Sequence, residues 1–481
     1  MKMNLKDEYA LISRIYGKMT YQQLGERLLQ MHGRVQRFIS ERRLCVLVAD
    51  HSMECILLYL MCVNNKLPML LVDERDIENS LSNLLKNFHP AFVWIPIKYK
   101  NNRKISDICM DGAYGLQRKE NGYLWYFGEK ENYFMPSELA LLISTSGSMG
   151  GAKYVCLSYE NLLDNAQNIV KSLNIERGER AAVMLPISYS YGLSVVNTYL
   201  YQRGTLLIGD AMMAEREFWE FLRLENVNAL CGVPYTYEIM DKLGVFQKKI
   251  KSLKKMTQAG GKLKIEKQRY FAELARREGF DFYVMYGQTE ATARMSCFCL
   301  SREMDKLGSV GKAIPGGEFS VYMDEEGRGE IIYHGKNIFW GYAKRMDDFN
   351  ELHSAKELYT GDVGFLDDDE YLFITGRKKR FVKIRGFRIE LDLIQEEMRS
   401  QTDIEVICVK EKSADRMLVF SLKEIQDGYR ILSDLCHQLM TKESVDFFVL
   451  DEFPRNANGK IAFGVLENWE EQNGNNSKRI D

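Results

Sequence analysis

The chain of 481 residues lacks an excess of charge of either sign, with 65 basic residues against 67 acidic ones. No overall field therefore draws it to nucleic acid or to an anionic membrane, and each basic cluster has to be judged by its own surroundings. A long hydrophobic run is also missing. The longest, CILLYLMCV, stops at Asn64, Asn65 and Lys66, far short of the ~20 residues a membrane helix needs. The N-terminus MKMNLKDEYALIS carries acidic residues and no apolar stretch of signal-peptide length, so no secretion is expected. Ten cysteines are present, yet no CxxC and no Cys/His cluster is found. Cys45, Cys55, Cys62, Cys231 and Cys408 sit inside apolar runs and read as buried, reduced thiols of a cytoplasmic protein. Cys297 and Cys299 share one strand face at most, which leaves a metal site short of ligands. There is no solenoid-type repeat.

What is present is an alternation. From Leu44 the pattern runs strand LCVLVAD, helix HSMECILLYLMCVNN, strand LPMLLVD, helix IENSLSNLLKNF, strand AFVWIP. Such β-α-β-α-β order predicts a parallel sheet with helices on its faces. A second series begins at AAVMLPIS and passes through SVVNTYLYQRG, TLLIGD, EREFWEFLRLENV and NALCGVP to IEKQRYFAELARREG and DFYVMYG. After Gly308 short alternating runs predict hairpins, and the last ~100 residues read helix, strand, strand, helix, enough for a small core of their own. At ~150 residues per domain the length suits about three structural units. The tail after Trp469 is polar and predicted to be disordered.

Residues 144 to 153, STSGSMGGAK, raise the question of a phosphate loop. A Walker A loop needs Gly-Lys-Ser/Thr and a helix directly after it. Here Ala152 and Tyr154 flank Lys153, and YVCLS reads as a strand, with Ser158 as N-cap of the next helix. Any phosphate would be held by loop amides, the hydroxyls of Ser144, Thr145, Ser146 and Ser148, and the Lys153 ammonium; a solvated hairpin is the other reading. The loop YGQTEA follows the apolar run DFYVM, so Thr289 and Glu290 stand at a strand's carboxyl end, where α/β sheets bind ligands. Glu290 suits a magnesium ion bridging phosphates, or is a turn glutamate. QAGGKL holds the pair Gly260 and Gly261, suited to a flat ring or to a tight turn. Asp362, in YTGDVG, offers two acceptor oxygens to a diol, and Arg377 offers a fork to phosphate. GRKKRFVKIRGFR packs seven basic residues into thirteen, but alternates with Phe381, Val382, Ile384 and Phe387 as a strand does and carries no RNA-binding signature. Lys460 ends the turn PRNANGK.

Taken together, STSGSMGGAK, LPISYSYGLS, YGQTEA, YTGDVGFLDDDEYLFITGR and PRNANGK, in this order and spacing, resemble the core motifs of the adenylate-forming superfamily. That superfamily contains acyl- and aryl-CoA synthetases, adenylation domains of nonribosomal peptide synthetases, and luciferases. The resemblance implies an α/β fold: a large N-terminal domain, residues 1–378, of two α/β subdomains with a flanking β-barrel-like region, and a small mobile α+β C-terminal domain, residues 379–470, followed by the tail 471–481. It implies ATP-dependent activation of a small-molecule carboxylic acid as acyl-adenylate, then transfer to a thiol. Coenzyme A is the first acceptor, and the phosphopantetheine of an acyl or peptidyl carrier protein the alternative.

The same resemblance assigns Thr145, Ser146, Gly147, Ser148 and Lys153 to the β- and γ-phosphates of ATP, Gly260 and Gly261 to the adenine-side turn, and Tyr286 to stacking on adenine. Gly287, Gln288 and Thr289 complete that nucleotide loop. Glu290 is the Mg2+ ligand, Asp362 the ribose ligand, and Arg377 reaches ribose and phosphate. Lys460 is the catalytic lysine, Lys379 the hinge, and Gly386 stands beside the entering pantetheine. Tyr189, Ser190 and Gly192, with Tyr191, Val233, Met285 and Arg294, line the acid pocket. No nucleic-acid partner and no membrane span are expected. Met149, Ala152 and Tyr154 depart from the usual phosphate loop. Ser190 stands where peptide-synthetase domains place an aspartate for the substrate ammonium, and an unpaired buried ammonium is costly, which turns the reading away from α-amino acids. A degenerate nucleotide- or RNA-binding protein is the non-enzyme alternative, and the altered loop is its one support.

Overall fold

The predicted alternation is realised as two large sheets. The computed structural model describes residues 8–37, 42–99, 101–110, 113–119, 122–128, 134–144, 153–209, 213–323, 329–378, 380–384, 387–412, 416–435, 444–456 and 459–469. The chain divides into two compact units, Met1–Glu318 with His334–Leu358, and Phe319–Tyr333 with Tyr359–Asp481.

In the first unit, the strand Cys45–Ala49 is flanked in parallel by Met69–Asp73 and Phe92–Pro96. This eight-stranded sheet extends on one side through Leu139–Ser144 and Tyr154–Ser158 to Gly341–Ala343 at its edge. A nine-stranded sheet runs in the order Lys312–Ala313, Ser296–Cys299, Asp281–Tyr286, Lys255–Gln258, Ala229–Gly232, Arg180–Ala182, Thr205–Ile208, Tyr9–Ser13, Gly17–Thr20. Its six central strands, from Asp281–Tyr286 to Tyr9–Ser13, are parallel.

The side-chain period of two sorts the strand residues between cores. Cys45, Leu47 and Ala49 face a core shared with the nine-stranded sheet, whereas Leu44, Val46 and Val48 face a second core under the helices Ile77–Phe88 and Arg103–Met110. The helix Met53–Asn64 lies in the shared core and is buried around most of its circumference. That is why CILLYLMCV is apolar on every face. Among the described residues no helix is long and apolar enough to cross a membrane.

Local signals act where they were expected. Ser158 caps the helix Tyr159–Ser172 in a reciprocal box, Asn161 N to Ser158 Oγ at 3.0 Å and Ser158 N to Asn161 Oδ1 at 2.8 Å. Of the run AAVMLPIS only Ala181 and Ala182 join the sheet, in the strand Arg180–Ala182; Val183 N still bonds Leu207 O, but Pro186, lacking an N–H, lies where the chain turns into the next helix.

The second unit contains most of a four-stranded sheet, Glu318–Met323, Gly329–His334, Leu358–Leu366, Leu372–Arg377. It also holds the hairpin Phe381–Ile384 with Phe387–Glu390, and a three-stranded sheet. In that sheet Val406–Lys410 and Met417–Ser421 are joined by Val445–Val449, a strand the reading of helix, strand, strand, helix omitted. It pairs in parallel with Met417–Ser421 and lays Phe448 on Phe420 with centroids 5.1 Å apart. All nine cysteines among the described residues are free thiols, eight of them buried.

Candidate functional site

The strands Ala229–Gly232, Lys255–Gln258 and Asp281–Tyr286 run parallel and end on the same side. Their carboxyl ends carry Val233, Gly260 with Gly261, and the loop from Gly287 to Arg294. This is the edge at which such sheets bind ligands. Gly260 has φ +82°, and a Cβ there would collide with the Tyr189 hydroxyl. The glycine therefore lets the Tyr189 ring close over the backbone. Gln258 Nε2 fixes the turn by donating to Gly261 O at 2.8 Å.

The loop after Tyr286 is pinned from outside. Asn337 Nδ2 donates to Ala291 O and Arg294 O, both at 2.9 Å, Asn165 Nδ2 donates to Arg294 O at 2.9 Å, and Thr292 Oγ1 donates to Asn337 O at 2.7 Å. Phe339 N donates to Glu290 O at 2.8 Å. At Gly287 a Cβ would strike the Ala293 carbonyl, so no larger residue fits this fold of the loop. Buried carbonyls bonded on this scale hold a loop rigidly, and Glu290 is set on it as a half-buried carboxylate.

Glu290 is not alone. Tyr342, on the edge strand Gly341–Ala343, donates its hydroxyl to Glu290 Oε1 at 2.8 Å, and Lys153 Nζ lies 3.5 Å from the centroid of the Tyr342 ring. Burial, and after it the charge of Glu290, pushes the Tyr342 phenol upward, so it stays protonated and remains a donor. Its position follows from register: Tyr342 pairs with Val155 and Ala343 with Tyr154, two and one residues after Lys153. The sequence reading missed Tyr342. Only an aromatic residue in the short run GYA marked it.

Among the acid-pocket candidates, Tyr189 and Tyr191 are buried and their rings meet edge to face with centroids 6.3 Å apart. Tyr191 Oη bonds Thr257 O at 2.8 Å and Thr257 Oγ1 at 2.7 Å. Ser190 Oγ is 3.4 Å from Thr289 Oγ1, which joins the start of helix Ser190–Tyr201 to the loop after Tyr286. Gly192 faces protein backbone: a Cβ there would run into the Leu185 and Pro186 carbonyls. Its lack of a side chain lets helix and preceding segment approach. Arg294 is buried, with its guanidinium 4.1 Å over the Tyr191 ring. Gln288 Nε2 is a buried donor with no acceptor among the described residues.

In the second unit, Asp362 and Arg377 are direct cross-strand partners, with Arg377 Nε 3.0 Å from Asp362 Oδ1. The aspartate is buried while the arginine side chain is mostly exposed. Gly361 precedes Asp362 at φ +72° and donates its N–H to Glu330 Oε1 at 3.2 Å. Lys378 is paired with the same Glu330 at 2.6 Å. Lys460 has its backbone held both ways, Lys460 N to Asn456 Oδ1 at 3.0 Å and Asn456 N to Lys460 O at 2.7 Å, in a turn closed by the bridge Arg455 to Ile461. Thr145, Ser146, Gly147 and Ser148 lie outside the described residues, as do Lys379 and Gly386. The flanks of the segment 145–152 are described: Ser144 pairs with Tyr154.

Among the described residues no group of three or more His, Cys, Asp or Glu could hold a metal ion. One carboxylate with an oxygen still open fits a Mg2+ ion, which keeps most of its waters and takes further oxygens from phosphates.

The family model described as "AMP-binding enzyme" matches residues 3–343. A probable 4-coumarate–CoA ligase 2 of Dictyostelium discoideum is 25% identical over 361 residues, 68% of this chain and 62% of that protein. The chain thus matches less than two thirds of that relative's length. A 2-succinylbenzoate–CoA ligase of Bacillus subtilis (strain 168) is 24% identical over 354 residues, 70% of this chain and 71% of that one. Among solved structures, ATP-bound MatB from Rhodopseudomonas palustris has a TM-score of 0.77 at 22% identity and covers 97% of each chain. O-succinylbenzoate coenzyme A synthetase from Bacillus subtilis, with ATP and magnesium, has a TM-score of 0.73 at 20% identity, covering 96% of this chain and 97% of that one. At such identities the structures speak to the fold alone, which this chain shares with them.

Proposed function

We propose, from the premise that the chain belongs to the AMP-binding enzyme family, that it activates a carboxylic acid with ATP and passes the acyl group to a thiol, coenzyme A first. The observation that carries this is the Lys153, Tyr342 and Glu290 constellation at the strand ends. One ammonium and one oriented carboxylate on the same tyrosine support a site that holds a nucleotide triphosphate by its phosphates and their metal ion.

In this reading an oxygen of the acid attacks the α-phosphorus, the bond to pyrophosphate breaks, and an acyl-adenylate forms. Mg2+ supplies neutralisation of phosphate charge and would be held by Glu290. Lys153 holds the outer phosphates with Thr145, Ser146, Gly147 and Ser148, and its ammonium is aimed by the Tyr342 ring. Gly260, Gly261, Tyr286, Gly287, Gln288 and Thr289 form the adenine-side wall, and Asp362 with Arg377 takes the ribose and α-phosphate. Lys460 supplies positive charge where it develops in the transition state. The thiol sulfur then attacks the acyl carbon, AMP leaves, and the thiol proton passes to solvent. For that step we assign residues 379–470 to a mobile domain turning at Lys379, which withdraws Lys460 and brings Gly386 to the pantetheine channel. The acid is held near Tyr189, Ser190 and Gly192. Relatives named for coumarate and succinylbenzoate support an aromatic or short aliphatic acid, and free buried thiols support a cytoplasmic setting.

Pyrophosphate exchange across aryl, fatty, dicarboxylic and amino acids, with and without coenzyme A, tests the reading. Exchange with at least one acid is expected, and Lys460→Ala should lower its rate ~100- to 1000-fold. Exchange with no acid, or an unchanged rate in Lys460→Ala, overturns it. Exchange without a coenzyme A thioester moves the acceptor to a carrier-protein phosphopantetheine.

A further inference from the structure

Between the strands Asp281–Tyr286 and Ser296–Cys299 the chain turns back on itself at Thr292. Thr292 has φ +64° and ψ −55°, and Ala293 N donates across it to Ala291 O at 2.6 Å. Those angles with an i→i+2 bond make the γ-turn that is rare and strained for L-residues. Nine of the described non-glycine residues have positive φ, and Thr292 is the β-branched one among them. For a β-branched residue such backbone is an outlier. Strain of this kind persists only where its surroundings over-determine it, and it gathers at functional sites.

The surroundings are one short stretch of chain. Asn337, fully buried, donates its amide to Ala291 O before the turn and to Arg294 O after it, both at 2.9 Å. Thr292 returns the contact, Oγ1 to Asn337 O at 2.7 Å. Further along the same stretch, Phe339 N donates to Glu290 O and the Tyr342 hydroxyl to Glu290 Oε1, each at 2.8 Å. Residues 337–342 thus hold the main chain of Glu290, its carboxylate and the turn just past it. Ala291 O takes both the turn bond and an Asn337 bond, so the peptide joining Ala291 to Thr292 cannot rotate toward relaxed angles without losing them. The turn also folds the Ala293 carbonyl onto Gly287, where an added Cβ would strike it.

We propose that Thr292 and Asn337 are positioning residues for adenylation: together they lock the loop after Tyr286 in a strained turn that fixes the Glu290 carboxylate for Mg2+ on the triphosphate. The direction of that carboxylate is then set when the protein folds, and binding of the metal and nucleotide does not have to order the loop. This rests on the adenylation reading above and deepens it, giving a role to two residues that the reading assigns no contact with a reactant.

Substitutions at Thr292 separate strain, hydroxyl and shape. In thermal melts without ligand, Thr292→Gly should unfold above Thr292→Ala, the reverse of the usual order, because glycine adopts φ +64° freely and alanine does not. The nucleotide readout is the melting shift produced by ATP, titrated with free Mg2+. Its half-saturating concentration should rise about tenfold or more in Thr292→Gly, whose turn is free to relax, as for loss of an outer partner of a metal-binding group. Thr292→Ser keeps the hydroxyl and should stay within about threefold of wild type, whereas Thr292→Val keeps the shape, loses the bond to Asn337 O and should rise about fivefold. Should Thr292→Gly not fold, Thr292→Val and Thr292→Ser decide by the same titration. Thr292→Ala melting above Thr292→Gly, or a titration that is the same in Thr292→Gly, Thr292→Val and wild type, overturns the positioning role and leaves the adenylation reading standing. A wild-type melt that ATP and Mg2+ do not shift, together with pyrophosphate exchange for no acid, overturns both.

Discussion

Tyr342→Phe removes one hydroxyl and keeps the ring, and so isolates the hydrogen bond that orients Glu290. That bond is 2.8 Å long and ends on a carboxylate oxygen. Bonds to charged groups contribute ~1.5–3 kcal/mol, but Tyr342 is 37% exposed, and solvent screening brings the figure to the low end, ~1.4 kcal/mol, or about tenfold. If Glu290 is the Mg2+ ligand, the loss falls on the metal: outer partners of a metal-binding group typically change affinity 10- to 100-fold. In pyrophosphate exchange, titrated with free Mg2+ at saturating ATP, the half-saturating concentration should rise about tenfold in Tyr342→Phe. The thermal midpoint should stay unchanged. Tyr342→Leu also removes the ring under Lys153, a cation–π contact of ~0.5–1 kcal/mol, and should raise the KM for ATP a further two- to fivefold. An unaltered Mg2+ dependence in Tyr342→Phe would refute the orienting role. A tighter one would mean that the hydroxyl competes with the metal for Glu290.

Three further outcomes follow from buried geometry. Gly260→Ala should lose ~2 kcal/mol or more of stability along with adenylation, because φ +82° is strained for alanine and the new methyl meets the Tyr189 hydroxyl; Gly261→Ala, which meets only Pro234 at 3.3 Å, is the mild control in the same melts. Lys255→Met should cost ~3 kcal/mol, since it leaves Glu179, whose side chain is 2% exposed and lies 3.0 Å from that ammonium, with the more exposed Lys254 ammonium at 3.9 Å as its remaining cation among the described residues; Glu179→Gln on that background should restore much of the loss in thermal or urea unfolding. Burial alone would raise Asp73, yet the Arg75 guanidinium and backbone N–H, with Ser188, hold it below the usual carboxylate range. A carboxyl lower in the folded than in the unfolded state stabilises above the unfolded value, ~3.9, and loses that contribution as pH falls through the folded value. The stability advantage of wild type over Asp73→Asn should therefore be flat above about pH 5 and shrink from about pH 4 downward; an advantage that grows on acidification would refute the assignment.

Much of the site was legible because its chemistry requires particular residue types at one end of a strand. DFYVM followed by YGQTEA placed Glu290 at a carboxyl end, and the structure puts it there. Asp362 and Arg377 were read as separate candidates fifteen positions apart, and only the register of their strands makes them partners. Tyr342 escaped altogether. It lies 52 positions from Glu290, in a three-residue strand too short for any periodic signal. Val445–Val449 escaped for a similar reason, because an edge strand of five residues shows its alternation only when its partner is known. Gly192 was read as lining an acid pocket; that a Cβ there would meet the Leu185 and Pro186 carbonyls shows only in the structure.

By itself the sequence determined most of the element order, the parallel strands and the residue types of the loop after Tyr286. Periods of two and 3.6 mark which faces are apolar, and glycine marks where the backbone has no alternative. Tertiary structure alone decided which apolar face meets which, so that Met53–Asn64 lies in one core between two sheets. It also decided which distant side chains share a charge environment. Tyr342 holds Glu290 at its hydroxyl and carries Lys153 over its ring, and Arg294 lies against the Tyr191 ring. A local pattern fixes the direction of a side chain relative to its own strand or helix, whereas the partner at its tip depends on the packing of elements hundreds of residues apart.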